Sequence, residues 1–269
     1  MEIVQSKTNI GLIRKNNEDV ALSMKHPKDK RIVLLLVADG MGGKEYGDVA
    51  SSYVSLKIEK WFKSRSLSTL NNINKCEEQL RVLIEKANDE LIEKYGSNVL
   101  GTTLSLALIN KEETLILNIG DSRIYVYRNK KLIQVTEDDS DVWFYYKYGA
   151  VRKDDLRYFY NNNIITACVG ISDSLCRINS NILDNTYDLI LLLTDGVTDL
   201  ITDRKIRRII ESNSSDKVLG CIIDEAVNKD QHLHIPLRLK KKKYSKYILP
   251  FHGRDNASGA IYIARNLKK

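Results

Sequence analysis

Ile32-Val-Leu-Leu-Leu-Val-Ala38 runs without interruption into Asp39-Gly40-Met41-Gly42-Gly43, and the rest of the chain is read outward from this stretch. A short unbroken apolar run bounded by glycine has the signature of a strand buried on both faces. A carboxylate at the end of such a strand is costly to desolvate unless a cation or hydrogen-bond donors meet it. The pattern recurs: Leu189-Ile-Leu-Leu-Leu-Thr194 runs into Asp195-Gly196, and Asp255-Asn256 precedes a last strand-like run, Gly259-Ala-Ile-Tyr-Ile263. Carboxylates at matching strand ends suggest one shared cation site.

The 269 residues are 43% hydrophobic, enough to bury a sizeable core. The start, Met1-Glu-Ile-Val-Gln-Ser-Lys7, has no apolar run, so no signal peptide is expected. No apolar run is long enough to span a bilayer. Cys76, Cys168, Cys176 and Cys221 are scattered without a C-x-x-C pair, which predicts buried reduced thiols in a cytoplasmic protein. The net charge of +7 is uneven. Arg238, Lys240, Lys241, Lys242, Lys243 and Lys246 fall in a segment with no acidic residue, which leaves the remainder near neutral.

Residues 2–37 read as strand, turn, strand. A helix is expected from Asp48 to about Lys63, with Val49, Tyr53, Leu56 and Trp61 on one face. A clearer one spans Lys75 to Tyr95, where Leu80, Leu83, Ile84, Ala87, Leu91 and Ile92 follow helical spacing and Gly96 stops it. Strands are expected at Thr102–Ile109, Thr114–Ile119, Arg123–Tyr127 and Lys131–Val135, joined by links short enough to demand antiparallel pairing. Residues 137–185 read mostly as loop and short helix. A strand at 187–194, helices near 203–212 and 215–228, a basic insertion at 230–252 and a final strand complete the chain. Strands fill the middle and helices come in pairs without βαβ alternation, which favours α+β layers in one domain over residues 1–269.

Several chemistries are excluded. Gly42-Gly43-Lys44 is not a P-loop, because Ala38 stands where the first glycine belongs and Glu45 replaces Ser/Thr. There is no cysteine followed by arginine at cysteine-phosphatase spacing, no H-E-x-x-H, no Cys/His zinc cluster and no Gly-x-Ser-x-Gly. Hard-metal chemistry on carboxylates is the better candidate.

Six features stand in order: Arg14-Lys-Asn-Asn-Glu18-Asp19; Asp39-Gly-Met-Gly-Gly43 with Gly47 and Ala50-Ser51; Gly101-Thr102-Thr103; Gly120-Asp121-Ser122-Arg123 with Thr136-Glu-Asp-Asp-Ser140; Thr194-Asp195-Gly196; and Asp255-Asn256. Each alone has an ordinary reading as a turn, a surface charge or a hairpin cap. Together, from Gly11 to Ile263, the ordered set resembles the metal-dependent Ser/Thr protein phosphatases of the PPM (PP2C) family in their compact bacterial form.

The resemblance implies a four-layer αββα sandwich, two antiparallel sheets flanked by helices. It implies hydrolysis of phosphoserine and phosphothreonine in proteins, by attack of a water bridging two Mn²⁺ or Mg²⁺ ions, with a Ser/Thr kinase as counterpart. Carried over by position, Asp39 bridges the two metals and the Gly40 carbonyl helps bind one. Asp195 and Asp255 hold the other, and Glu18 and Asp19 act through metal-bound waters. Asp121 joins Asp195 at a third, weaker site, and Arg14 grips the substrate phosphate. Arginine suits that task because its fork gives two parallel hydrogen bonds.

The chain departs from the family at Lys44 and at Asp139, where histidine is usual, which puts proton transfer to the leaving oxygen in question. A flap is expected near 141–170, carrying an aromatic cluster of Trp143, Phe144, Tyr145, Tyr146 and Tyr148 that is either a local core or a contact surface. The basic segment Arg238–Lys246 is either a solvated loop or a docking site for an acidic partner. Two other functions stay open: a pseudophosphatase that binds partners through the fold, and a basic adaptor.

Overall fold

The computed structural model describes residues 2–42, 46–97, 99–159, 161–171, 177–228, 255–264 and 267. The basic insertion and Lys44 lie outside the described residues. In chain order the elements are β1 (Ile3–Asn9), β2 (Asp19–Lys25), β3 (Val33–Gly42), α1 (Gly47–Ser64), α2 (Leu67–Leu70), α3 (Ile73–Tyr95), β4 (Leu100–Thr102), β5 (Leu104–Ile109), β6 (Glu113–Ile119), β7 (Arg123–Arg128), β8 (Lys131–Gln134) and α4 (Asp141–Lys147). A 3-10 turn at Lys153–Tyr158 follows, then β9 (Asn179–Asp184), β10 (Leu189–Leu193), α5 (Asp195–Thr198), α6 (Asp203–Ser212), α7 (Val218–Asn228) and β11 (Ala257–Ile263).

Alternation along β3 builds the layers. Val33, Leu35 and Val37 point between the sheets, where they join Ile116, Ile124, Ile190, Leu192 and Ala260. Leu34, Leu36 and Ala38 point the other way, onto Val54, Ile58, Leu80 and Ile84 of α1 and α3. The second sheet does the same: Leu189, Leu191 and Leu193 of β10 pack on Ile206, Ile210, Ile222 and Ile223 of α6 and α7. The result is the expected αββα sandwich. One antiparallel sheet runs β1-β11-β10-β7-β8 and the other β2-β3-β5-β6-β9, with β4 on the end of β3.

Local chemistry fixes the ends. The Asn72 side chain caps α3 by accepting from the Lys75 N–H, and Gly96 closes it at φ +89°. Asn129 and Lys130 both take positive φ, as a two-residue hairpin between β7 and β8 requires.

Four sequence expectations are corrected. Residues 2–37 hold three strands rather than two. The strand expected over Thr102–Ile109 breaks at Thr103, whose N–H turns to the Asp39 carbonyl. The buried face of α1 is Ala50, Val54, Ile58, Trp61 and Phe62, and Leu56 is exposed. Residues 137–185 contain an edge strand, β9, paired with β6 from Asn118↔Asn179 to Glu113↔Asp184. The aromatic cluster divides: Trp143 joins a small core with Val142, Leu156 and Phe159, while Phe144, Tyr145, Tyr146 and Tyr148 are exposed.

Candidate metal and phosphate site

The carboxylates gather at one end of the sandwich because the strands that carry them end there. Asp19 opens β2 directly opposite Asp39 in the β2–β3 register. Asp195 follows β10, and Asp255 precedes the neighbouring β11. Asp121 lies in the link from β6 of one sheet to β7 of the other.

Hydroxyls and amides fix these positions. The Asp39 N–H donates to Thr103 Oγ1 at 2.9 Å, and Thr102 Oγ1 donates to the Asp39 carbonyl at 3.0 Å. Thr194 Oγ1 donates to Asp19 Oδ2 at 2.9 Å while accepting from the Ser258 N–H at 3.0 Å, so one hydroxyl joins three strands. The Asn256 amide ties the N-terminal loop to β11. Its Oδ1 accepts from the Glu18 N–H at 2.8 Å, and its Nδ2 donates to the carbonyls of Ile10 (2.9 Å) and Asn16 (3.0 Å).

Two glycines are required by close approach. A Cβ on Gly40 would lie 2.1 Å from the Gly47 carbonyl oxygen and 2.7 Å from that of Glu18. A Cβ on Gly196 would lie 2.0 Å from the Asn256 carbonyl oxygen. The glycine after each aspartate therefore lets backbones meet behind the carboxylates.

Arg14 lies at the rim. Its Nη2 donates to Asp255 Oδ2 at 2.5 Å, and its Nη1 stands 3.9 Å from Glu18 Oε2. Asp255 holds the guanidinium charged and raises its pKa.

The electrostatics inside are one-sided. Burial pushes the Asp19 and Asp39 carboxyls well above the usual carboxylate range, and Asp195 and Asp255 add to the push. Asp121 is raised likewise by burial, then by Asp195. Asp19 Oδ1 and Asp195 Oδ1 are buried with no hydrogen-bond partner. Two orphaned carboxylate oxygens within an all-oxygen donor set are what a hard divalent cation would satisfy. Among the described residues no three acidic, imidazole or thiol side chains stand close enough together to hold a metal ion as they are placed. Asp19, Asp39, Asp195 and Asp255 nevertheless lie near enough to act on one another's charge, and they are the residues best placed to hold a cation.

Asp199 belongs to this neighbourhood and escaped the sequence reading. It lies one helical turn after Asp195, and its N–H donates to the Asp195 carbonyl at 2.8 Å. Burial, then the Asp195 charge, pushes its carboxyl up to about 7. The i, i+4 spacing of two aspartates was the available signal.

Of the two departures from the family pattern, Lys44 lies outside the described residues and Asp139 can be placed. Asp139 is 3% exposed, and its carboxylate is engaged by the Gly120 N–H, Asn179 Nδ2 and Arg177. It is a structural joint rather than a proton donor facing the site. Asp121 and Arg123 do not pair. Arg123 makes a buried fork onto Asp138 instead, with Nη2 to Oδ2 at 2.6 Å. The one histidine among the described residues, His26, is buried edge-on to Phe62 in the helical layer.

Comparison with known proteins gives the same answer as the geometry. Residues 15–217 match the family model for protein phosphatase 2C. The serine/threonine phosphatase stp of Listeria welshimeri is 33% identical over 214 residues, 78% of this chain and 83% of that protein. Protein phosphatase PhpP of Streptococcus pneumoniae is 27% identical over 206 residues, 77% of this chain and 83% of its own length. The crystal structure of serine/threonine phosphatase Stp1 from Staphylococcus aureus superposes with a TM-score of 0.78 at 25% identity, covering 98% of this chain and 96% of that one. The carboxylate-tipped strands, the two close-approach glycines and the αββα layers thus have one family explanation: the chain belongs to the protein phosphatase 2C family.

Proposed function

We propose that this chain is a metal-dependent protein phosphatase that hydrolyses phosphoserine and phosphothreonine in proteins. The observation that carries the reading is the pair of orphaned carboxylate oxygens, on Asp19 and Asp195, among strand-end aspartates with Arg14 at the rim.

In this reading Asp39, the Gly40 carbonyl, Asp195 and Asp255 hold two Mn²⁺ or Mg²⁺ ions, with Glu18 and Asp19 acting through water and Asp121 joining Asp195 at a third, weaker site. Bound divalent ions supply Lewis acidity and lower the pKa of coordinated water toward neutrality. Arg14 binds the phosphate through its fork and is held in place by Asp255 until the phosphate arrives. Thr103 and Thr194 orient Asp39 and Asp19. With no imidazole among the described residues of the site, the leaving oxygen takes its proton from water held there.

The same reading makes residues 1–269 one catalytic unit with a flap near 141–170, a Ser/Thr kinase its counterpart, and the cytoplasm its location. No helix among the described residues is long and apolar enough to cross a membrane. Cys76, Cys168 and Cys221 stand as thiols, and burial pushes the Cys76 thiol up to about 11, away from reactivity. An acidic partner docking at Arg238–Lys246, and the adaptor role built on it, fall outside the described residues.

The test is hydrolysis of a phosphothreonine peptide with Mn²⁺, beside an EDTA control and Asp39→Asn. Turnover that needs the metal and disappears in Asp39→Asn supports the reading. A folded protein with no turnover at any Mn²⁺ concentration is a pseudophosphatase.

A further inference from the structure

The loop between β1 and β2 presents an apolar tip beside the phosphate-binding arginine. Ile10, Leu12 and Ile13 are 39%, 64% and 49% exposed, immediately before Arg14. Single exposed apolar side chains are normal on protein surfaces, but here three of four consecutive residues are turned out at the rim of a polar site.

The loop is held in that shape. The Gly11 N–H donates to Asn9 Oδ1 at 2.9 Å, and Gly11 takes φ +78°, a conformation that favours glycine. Asn256 Nδ2 grips the loop at both ends, through the carbonyls of Ile10 and Asn16, and Arg14 is tied to Asp255 at 2.5 Å. Burying the tip would require breaking these bonds. A surface already ordered in its exposed form costs little further entropy when a ligand covers it.

We infer that residues 10–13 form a specificity surface that receives an apolar side chain of the substrate protein, within two residues of the phosphorylated one. The inference rests on the phosphatase reading above and deepens it by naming the substrate class: phosphoproteins with an apolar residue flanking the phosphoresidue. Ile13 adjoins Arg14 in the chain, so a substrate whose phosphate lies on Arg14 comes close to this loop. Extended backbone advances about 3.4 Å per residue, so positions up to two residues away stay within about 7 Å along the substrate chain.

The test uses the full chain with Mn²⁺ and phosphothreonine peptides in which one position from −2 to +2 carries Leu or Ser, with p-nitrophenyl phosphate as the substrate that has no flanking residues. Leu is expected to raise kcat/KM about five- to tenfold over Ser at one or two positions. Leu12→Ser and the double variant Leu12→Ser/Ile13→Ser are expected to erase the Leu preference while p-nitrophenyl phosphate turnover stays within about twofold, which also reports that the variants are folded. Normal p-nitrophenyl phosphate turnover with no position preferring Leu, or a preference that survives the double variant, overturns the inference and leaves the phosphatase reading standing. Absence of Mn²⁺-dependent turnover on p-nitrophenyl phosphate and on every peptide overturns both.

Discussion

Asp139 and Gly120 hold each other by two hydrogen bonds: the Asp139 N–H donates to the Gly120 carbonyl at 3.0 Å, and the Gly120 N–H donates to Asp139 Oδ2 at 3.1 Å. Gly120 has φ +97° and immediately precedes Asp121. The Asp139 carbonyl accepts from the Thr166 N–H at 2.7 Å, and Asn179 of β9 donates to the carboxylate. One buried aspartate therefore joins the turn carrying Asp121 to Thr166 and to β9. Asp139→Ala leaves the Gly120 N–H and the Asn179 amide without their acceptor, and should cost about 1–3 kcal/mol. Urea denaturation checks this: an unchanged midpoint would show that the joint contributes nothing.

Arg14 is expected to act on substrate binding through its fork. Arg14→Ala should raise KM for a phosphopeptide by about 10- to 100-fold, the scale of a charge-assisted hydrogen-bond pair, and Arg14→Lys should recover only part of the loss. Steady-state kinetics decide it. Equal recovery by lysine would mean that the charge matters and the fork does not.

Arg123 and Asp138 form a pair that is buried on both sides, 7% and 6% exposed. Arg123→Met strands the Asp138 carboxylate and should cost about 3–5 kcal/mol, whereas Arg123→Met combined with Asp138→Leu should recover much of that loss. Thermal or urea melts of the three proteins test it. A double variant as unstable as the single one would show that the pair is needed for more than charge balance.

The layer order and the site were legible for the same reason. Apolar runs as continuous as β3 and β10 need cover on both faces, and an aspartate at the end of each has few stable environments. What was illegible lacks such a constraint. β9 is an edge strand that opens with Asn179-Ser180-Asn181 and has no fully buried residue, so it carries little apolar alternation to betray it. The face of α1 was misassigned because Leu56 looks like core, while the true stripe uses Ala50, Ser51 and Ser55, small residues that let the helix approach β3. Arg123 meets Asp138 because the β7–β8 hairpin, in register at Tyr125↔Gln134, carries the chain after β8 back past Arg123, and which of the nearby aspartates then pairs is set by side-chain geometry that the order of residues does not contain.

Metal binding should stabilise the protein more at high pH than at low pH. The carboxyls of Asp19, Asp39, Asp121 and Asp199 are raised by burial and then by neighbouring carboxylates, Asp195 among them for all four, Asp199 to about 7. Groups raised on folding bind more protons in the folded than in the unfolded chain, so without metal their contribution to stability falls as pH rises from about 4, the unfolded carboxylate value, through the raised values. A divalent cation replaces those protons. The gain in Tm on adding Mn²⁺ or Mg²⁺ should therefore be small near pH 5 and larger near pH 8. A gain independent of pH, or largest at pH 5, would contradict it.

Gly196→Ala should be more damaging than an ordinary glycine-to-alanine change. Gly196 is in the first turn of α5, where a helical alanine would normally be favoured. Here the added Cβ would lie 2.0 Å from the Asn256 carbonyl oxygen, backbone against backbone, with Asp255 Cβ at 3.4 Å. Relief requires β11 to move away from Asp195, and Asn256 would carry the 10–16 loop and Arg14 with it. The expected result is a loss of about 2 kcal/mol or more in stability, in the range of overpacking, together with weaker metal dependence and raised KM. Gly220→Ala, whose nearest neighbour to the new Cβ is Lys7 Nζ at 4.0 Å, is the control and should leave metal dependence and KM unchanged and raise stability by up to about 1 kcal/mol. Equal behaviour of the two variants in melts and Mn²⁺ titrations would show that the approach of Gly196 to Asn256 does not hold the site together.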